Sequence, residues 1–392
     1  MAAVLSTVSP YFEISADARL TGTGSESWWI APWMDVTSSG REPRMGLTRE
    51  RGPDEGDLAE GSSDGFQVWA VGFYNQAGAA ALSEMFEDPC NPSLPAQFRF
   101  PRSTAAVKFL FTNAGPSEVT YLAGAPTYKA LIDPPNAPRD TTPEDRIESD
   151  VRLLQVDIAV KDRRATNTDW VFGTFVWMGP SIGDTLFDNL VPVSLQWGND
   201  PGVYNHRVQE SWINTDLEGK LYGWDERPTL GFNGRANGPA DNIRSSCLSC
   251  HATARTPRSS HGILGRFDMS EIGDAVEVKE HVDRYFQNLG SRDLFTPEEN
   301  AIASLDYSLQ IEAGIYRMCL ACRVGSLSGP TPQLCRASGF YNRASCRVIA
   351  PLPSAPNANV LSQQSAEIQD FIKGIESEDD IRQLMVLPPA RQ

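Results

Sequence analysis

The feature that most restricts the fold is a series of short apolar runs, separated by Pro- and Gly-rich loops, between residues 66 and 179. Four of these runs are rich in β-branched and aromatic residues or alternate apolar with polar positions: FQVWAVGFYN, AAVKFLFTN, VRLLQVDIAVKD and WVFGTFVWMG. Both patterns are typical of β-strands. Because few helical patterns separate the runs, we predict an antiparallel β-sandwich or jelly-roll over about residues 10 to 215, with one helix at residues 76 to 88.

Helical patterns dominate the later part of the chain. Residues 269 to 290 repeat apolar positions at helical spacing after Ser270, which can cap the helix N-terminus. Residues 296 to 321 predict a second helix capped by Thr296, and residues 365 to 386 predict a further amphipathic helix. We therefore expect this part of the protein to be mainly α-helical.

These patterns predict an α+β protein of two domains, which a chain of 392 residues is long enough to form. The first is a β-rich domain of residues 1–215, and the second is a mainly helical domain of residues 216–392. Residues 20–65 are rich in Gly, Ser, Pro and charge, so we expect an irregular segment there. Its tryptophans would anchor it to the core: Trp28, Trp29 and Trp33.

Charge and hydropathy exclude two classes of partner. The formal net charge of −16 would repel nucleic acid and anionic membranes, and it suits a basic redox partner protein. No stretch approaches the run of about 18 apolar residues that a membrane-spanning helix needs. We therefore expect no nucleic-acid partner and no membrane span.

One short motif carries the chemistry, the run Cys247-Leu248-Ser249-Cys250-His251. Positions i, i+3 and i+4 share one face of a helix, so both thiols and the imidazole can approach one planar ligand. Thioether bonds from Cys247 and Cys250 to two vinyl groups would hold a porphyrin, and His251 would give the iron one axial nitrogen. The motif matches the haem attachment site of c-type cytochromes, and the helical region after it resembles a compact monohaem cytochrome c domain.

The resemblance implies one covalently attached haem c and a second axial ligand opposite His251, commonly a methionine. Met318, at the end of a predicted helix, lies at a suitable distance after the motif. Met269 and His261 are the alternatives, although both are closer to the motif than is usual. Met318 on a helix can also be ordinary core filling. The sixth ligand is thus open among these three residues.

The two remaining histidines carry weaker expectations. His206 lies where the β-rich region meets the motif region and could reach the edge of a haem. His281 neighbours Glu280 and Asp283 on its helix, which favours a solvated side chain.

Cysteine content leaves two other interpretations of the motif open. Cys319 and Cys322 form a second C-x-x-C pair, and four thiolates would bind tetrahedral zinc, although the pairs lie far apart in the chain. Alternatively, Cys247 and Cys250 form a disulfide or lie buried, and His251 is an ordinary surface histidine. In an extracytoplasmic protein the five cysteines outside the motif would form two disulfides and leave one free thiol, with a pairing that the sequence does not reveal: Cys90, Cys319, Cys322, Cys335 and Cys346.

The resulting hypothesis is electron transfer through one haem c to a redox partner protein, with the β-rich domain providing the docking surface. A haem c enzyme, or a sensor of peroxide or gas with an open sixth position, is the first alternative, and a zinc- or disulfide-stabilised binding module is the second. Whether the protein is an enzyme, and its oligomeric state, stay open.

Haem attachment of this kind implies a periplasmic or other extracytoplasmic location. The start MAAVLSTVSPYFEIS has no basic n-region, so a leader is expected upstream of Met1 or to have been removed.

Overall fold

The computed structural model describes residues 28–30, 42–86, 93–95, 97–135, 137, 143–179, 189–256, 275–295 and 303–324. The strands are β1 (Trp28–Ile30), β2 (Thr48–Arg49), β3 (Val68–Asn75), β4 (Ala105–Thr112), β5 (Thr127–Ile132), β6 (Ile147–Lys161), β7 (Trp170–Trp177), β8 (Leu190–Gln196), β9 (Ser211–Ile213), β10 (Arg255–Thr256) and β11 (Ala303–Ser304). The helices are α1 (Gln76–Met85), α2 (Cys247–His251), α3 (Ala275–Tyr285) and α4 (Leu309–Val324).

Strands β1 to β9 form one antiparallel sheet in the order β1-β3-β4-β6-β7-β8-β9, with β2 added beside β3 and β5 beside β6. Strands β10 and β11 form a separate antiparallel pair. The antiparallel, β-rich prediction is confirmed, and the four runs singled out in the sequence correspond to β3, β4, β6 and β7. Among the described residues, however, the long strands all belong to this single sheet, whereas a sandwich needs two.

The two faces of the sheet pack against different layers because strand residues alternate sides. On β4, Val107 and Phe109 face one hydrophobic cluster, whereas Ala106 packs against the other. Irregular segments cover the first face, and their buried residues include Met45, Leu47, Tyr121, Leu217, Leu221 and Leu230. The second face packs against α1, α2, α3 and α4, with buried residues such as Leu82, Leu248, Val282, Phe286 and Ile311.

Both tryptophans described in the N-terminal segment are buried, Trp28 in the first cluster and Trp29 in the second. They anchor β1 to the sheet as predicted. Trp33 lies outside the described residues. Residues beyond 216 also enter the first cluster, so both sides of the predicted domain boundary contribute to one core.

The predicted helices are found with shifted limits. Helix α1 is confirmed and begins where the Asn75 side chain accepts a hydrogen bond from Gly78 N. Helix α4 begins thirteen residues later than predicted, because Ser308 Oγ accepts a hydrogen bond from Ile311 N and caps it there. The predicted helix at 269–290 is seen as α3, and residues 365–386 lie outside the described residues.

His281 was expected to be solvated, and this expectation is wrong. Its side chain is only 8% exposed and packs against three aromatic rings, those of Phe232, Tyr285 and Phe286. The expectation relied on the charged neighbours Glu280 and Asp283. It missed Phe232, whose ring reaches His281 from a loop distant in the sequence.

In the described part of the chain, every helix is too short or too polar to cross a lipid bilayer.

Gly238 tests how tightly the segment before α2 packs on the sheet. A Cβ at Gly238 would overlap the side-chain amide of Gln155, which cannot move freely because it is hydrogen-bonded to Asp157, Asp241 and Ala240. Gly238→Ala should therefore lower the free energy of unfolding by about 1–3 kcal/mol in urea denaturation.

Gly72→Ala is the matched control. A Cβ at Gly72, inside β3, would meet only Val107 O at 3.9 Å, so the free energy of unfolding should change by less than about 1 kcal/mol. Equal losses in the two variants would contradict this account of the packing.

Candidate functional site

Helix α2 carries the C-x-x-C-H motif and owes its position to a capping box. Ser246 Oγ accepts a hydrogen bond from Ser249 N at 3.2 Å, and Ser249 Oγ accepts one from Ser246 N at 2.9 Å. A helix of five residues has little stability of its own, so these bonds define where it starts.

Gln196, the last residue of β8, fixes this helix to the second face of the sheet. Its Oε1 accepts a hydrogen bond from Leu248 N at 2.9 Å, and its Nε2 donates one to Ser246 Oγ at 3.1 Å. Gln196, Ser246 and Leu248 are all buried. The motif is therefore held over β7 and β8 by buried polar contacts and by the Leu248 side chain.

Two buried arginines shape the loop that leads into α2. Arg227 donates hydrogen bonds to Gly238 O at 2.8 Å and Leu230 O at 3.0 Å, and it forms an ion pair with Asp57 at 3.1 Å. Arg235 donates to Asn199 O at 2.8 Å, and burial lowers the pKa of its guanidinium to about 10. Sequence patterns gave no signal for either residue, because their partners are mostly backbone carbonyls.

Both motif cysteines are free thiols in the structure, which is not the arrangement that the disulfide interpretation expected. Cys247 Sγ lies 3.9 Å from Thr174 Oγ1 and 3.7 Å from Asn237 Oδ1. Burial raises the pKa of the Cys250 thiol to about 12, and burial raises that of Cys247 well above its ordinary value. Both residues are therefore neutral thiols in the folded chain, and both keep part of their surface accessible.

His251 is held in one orientation by a backbone carbonyl. Its Nδ1 lies 2.8 Å from Tyr307 O, and since a carbonyl oxygen only accepts, Nδ1 must carry the proton and donate it. Burial lowers the pKa of His251 to about 4, so the ring is neutral at pH 7 and Nε2 keeps a free lone pair. The Phe172 ring packs beside the imidazole, with 4.7 Å between ring centroids. A neutral, oriented imidazole of this kind is what a metal ligand requires.

The middle of the second face of the sheet, around Lys108, is partly open to solvent, and we call this region the cleft. Register places Gly72, Lys108, Asp157 and Thr174 side by side across β3, β4, β6 and β7. Lys108 stands in the middle of the sheet, yet its side chain is 40% exposed. Its Nζ pairs at 2.9 Å with Glu50, which is 30% exposed. A closed interface would bury such central positions, so this part of the second face is open to solvent.

Two partly buried carboxyl groups, those of Asp157 and Asp241, lie close to Cys247. Gln155 Nε2 donates to Asp157 Oδ1 at 2.8 Å and to Asp241 Oδ2 at 3.0 Å, and Thr174 Oγ1 donates to Asp157 Oδ1 at 3.0 Å. Burial, followed by the charge of Asp241, raises the pKa of Asp157 to about 7. Burial also raises the pKa of Asp241. At neutral pH the site therefore contains a carboxyl that can take up or release a proton.

The structure describes only part of the predicted ligand set. Cys247, Cys250 and His251 lie on one short helix, and their roles in haem attachment and iron ligation stay predictions. Met318 belongs to α4, but its side chain lies outside the described residues, so its role as sixth ligand stays a prediction. The other predicted positions outside the described residues are Met269, His261, Cys90, Cys335 and Cys346.

Two further sequence expectations concern residues near the site. Cys319 is buried and disulfide-bonded, so it has no thiolate to offer the four-cysteine zinc site. His206 is exposed. Among the described side chains, no three His, Cys, Asp or Glu groups converge in a metal-binding arrangement.

The residues present fit a covalent haem c. Two free thiols and a neutral imidazole share one short helix, and the Nε2 atom that would bind iron is not the one used by Tyr307. The partly exposed Lys108 side chain lies on the same face of the sheet as the motif.

Sequence reasoning missed Lys108, Asp157 and the Tyr307 carbonyl. The polar residues inside β4 and β6 were the available signal, because a polar position within an apolar strand faces either solvent or a site.

Comparison with known proteins gives no match to a family model, to a characterised protein or to a solved structure. The chemistry of the site therefore rests on its own residues.

Asp157 should give the folded protein a specific pH dependence. In the unfolded chain its carboxyl releases a proton near pH 3.8, whereas in the folded protein it keeps the proton to about pH 7. Between these two pH values the folded state binds more protons than the unfolded chain. The contribution of Asp157 to the free energy of unfolding therefore falls as pH rises. Asp157→Asn keeps the Oδ1 acceptor and removes the titration, so the variant should gain stability relative to wild type as pH rises through the window.

Urea denaturation between about pH 4 and pH 8 measures this difference. Asp283→Asn is the control, because hydrogen bonds from Lys279 and Tyr204 lower the pKa of Asp283 and move its titration out of the window. Parallel wild-type and Asp157→Asn curves would show that Asp157 does not titrate near neutral pH.

Proposed function

We propose that this protein binds one haem c covalently through Cys247 and Cys250, with His251 as an axial ligand, and that it transfers electrons to a redox partner protein. The observation that carries the proposal is the His251 hydrogen bond to Tyr307 O at 2.8 Å. It fixes the tautomer in which Nε2 is free to bind iron, and a histidine that ligates a metal usually donates its other N–H in this way.

The chain would contribute attachment, orientation and shielding. Bound haem supplies one-electron chemistry at its iron. Cys247 and Cys250 would hold the macrocycle against the first turn of α2, and His251 would set the direction of the axial bond. Phe172 packs against the imidazole and excludes water from one side of it.

A haem c enzyme, or a sensor of peroxide or gas with an open sixth position, is the second candidate function. The observation that favours it is the polar lining of the cleft, where the Lys108–Glu50 pair and the protonatable Asp157 lie on the same face as the motif. Polar groups and donors around a haem favour ligand binding and proton-coupled chemistry over simple electron transfer.

We propose Met318 as the sixth ligand, with Met269 and His261 as alternatives. A thioether ligand favours reduced iron and raises the potential. A weak near-infrared sulfur-to-iron band in the oxidised protein that disappears in Met318→Ala would support this assignment. If wild type binds carbon monoxide without mutation, the sixth position is open and the second candidate function is favoured.

An extracytoplasmic location and a cytochrome c-like helical domain are parts of the same proposal. The disulfide at Cys319 supports an oxidising compartment, because disulfides persist there and are rare in the cytoplasm. The packing of α2, α3 and α4 around one hydrophobic cluster supports a helical layer around the motif.

Covalent attachment is tested by expressing the full chain together with a c-type cytochrome assembly system. After denaturation in acid and organic solvent the haem colour should stay with the wild-type polypeptide, because thioether bonds survive this treatment. In the Cys247→Ser, Cys250→Ser double variant the colour should be extracted. Extraction from wild type, or stoichiometric zinc in place of haem, would overturn the proposal.

His251 is tested with a matched histidine variant. His251→Gln should lose most of the haem incorporation, whereas His206→Gln, at an exposed position, should keep the wild-type amount. The pyridine haemochrome spectrum of each purified protein measures this amount. Equal incorporation in both variants would exclude His251 as the axial ligand.

A further inference from the structure

The carbonyl that orients His251 belongs to a strained turn. Ser308 N donates a hydrogen bond to Leu305 O at 3.0 Å, which closes a β-turn. Its two central residues have positive φ, 49° at Asp306 and 67° at Tyr307. Aspartate tolerates this conformation, whereas a bulky aromatic residue adopts it rarely and at a cost of about 1–3 kcal/mol. The surrounding structure must therefore hold the turn in place.

The Asp306 carboxylate is the principal anchor of this turn. Lys161 Nζ lies 2.6 Å from Oδ2, Trp170 Nε1 donates to Oδ1 at 2.8 Å, and Phe100 N donates to Oδ2 at 2.6 Å. The Lys161 side chain is 4% exposed and that of Asp306 is 0% exposed. One carboxylate thus connects the turn to β6, to β7 and to the segment before β4.

Contacts on either side of Asp306 hold the rest of the turn. Leu305 N donates to Ala254 O at 3.1 Å, three residues beyond His251. The Tyr307 hydroxyl donates to Leu289 O at 2.7 Å. Ser308 caps α4. The turn therefore has no freedom to rotate the Tyr307 carbonyl unless one of these contacts breaks.

The energetics of the ion pair point to a geometric role. Removing two charges from water costs several kcal/mol per ion, and their attraction often does no more than offset this cost. The Lys161–Asp306 pair is accordingly a weak source of stability. The turn that this pair anchors places Tyr307 O 2.8 Å from His251 Nδ1.

We propose that Lys161 and Asp306 are positioning residues that fix the tautomer and ring orientation of His251 through the Leu305–Ser308 turn. A consequence for the iron rests on the proposed function. The hydrogen bond from Nδ1 increases the electron donation of the imidazole, so the ion pair would stabilise oxidised haem and lower its midpoint potential.

The first test needs no haem and uses the full chain with 15N-labelled histidine. The chain has four histidines, so His251→Gln assigns the His251 signals. Wild type should show a single Nδ1–H tautomer at His251. In the Lys161→Met, Asp306→Asn double variant, which removes both charges and leaves neither ion unpaired, the ring nitrogens should show a mixture of tautomers. A single Nδ1–H tautomer in the folded double variant would overturn the proposal.

Two further variants separate positioning from loss of stability. Asp133→Asn breaks the buried ion pairs of Asp133 with Arg49 and Arg146, where Arg146 packs over Trp69 of the first cluster, and it should leave the His251 tautomer unchanged. If the double variant does not fold, Trp170→Phe removes the indole donor to Asp306 and keeps an aromatic ring. It should give the same tautomer mixture to a smaller extent, and an unchanged His251 spectrum in Trp170→Phe would also overturn the proposal.

The second test uses the haem-loaded protein. We expect the double variant to shift the ratio of reduced to oxidised haem about tenfold toward the reduced form, which is about 59 mV more positive for a one-electron couple. An unchanged potential in a variant whose tautomer is mixed would overturn the effect on the iron alone. If the chain binds no haem, the proposed function fails and the tautomer measurement still decides the role of Lys161 and Asp306.

Discussion

Strand β6 is the element on which the rest of the structure depends. Its fifteen residues pair with β5, β4 and β7, so it joins both halves of the sheet. Its apolar residues Leu154 and Val156 belong to the first hydrophobic cluster. Its polar residues on the other face each hold a different part of the site: Gln155, Asp157 and Lys161.

Because these three side chains lie on the same face of one strand, the spacing of the strand sets the distances between the parts of the site that they contact. Gln155 binds the loop before α2 through Ala240 N and Asp241. Asp157 accepts a hydrogen bond from Thr174, whose hydroxyl lies 3.9 Å from Cys247 Sγ. Lys161 anchors the turn behind His251. The motif lies on a short helix and the turn is irregular, so neither is rigid by itself. A strand within a large sheet supplies that rigidity. Functional residues on loops are commonly positioned in this way by a rigid scaffold.

The sequence predicted the elements that depend on local pattern. β-Branched and aromatic alternation located β3, β4, β6 and β7, and the C-x-x-C-H spacing located the motif helix. Sequence patterns failed to predict features that depend on residues distant in the chain. Helix α4 starts at Leu309 because Ser308 ends a strained turn, and Thr296 had the better local capping signal. Tyr307 contacts His251 through its backbone carbonyl. Every residue has such a carbonyl, so the residue type gave no signal for this contact.

Two lysine–carboxylate pairs lie on opposite sides of the site and differ in burial. The Lys161–Asp306 pair is buried behind His251, where Lys161 also donates to Ser291 and Asp306 also accepts from Trp170. Moving either residue would leave a buried charge without its hydrogen bonds. Lys108–Glu50 lies in the cleft and is partly exposed to solvent, so it contributes at most about 1 kcal/mol to stability. The buried pair therefore fixes the side of the site behind the imidazole, whereas the partly exposed pair constrains the other side less. In the proposed haem c protein, this arrangement would fix the axial nitrogen of His251, and the group that occupies the open side would decide between electron carrier and catalyst.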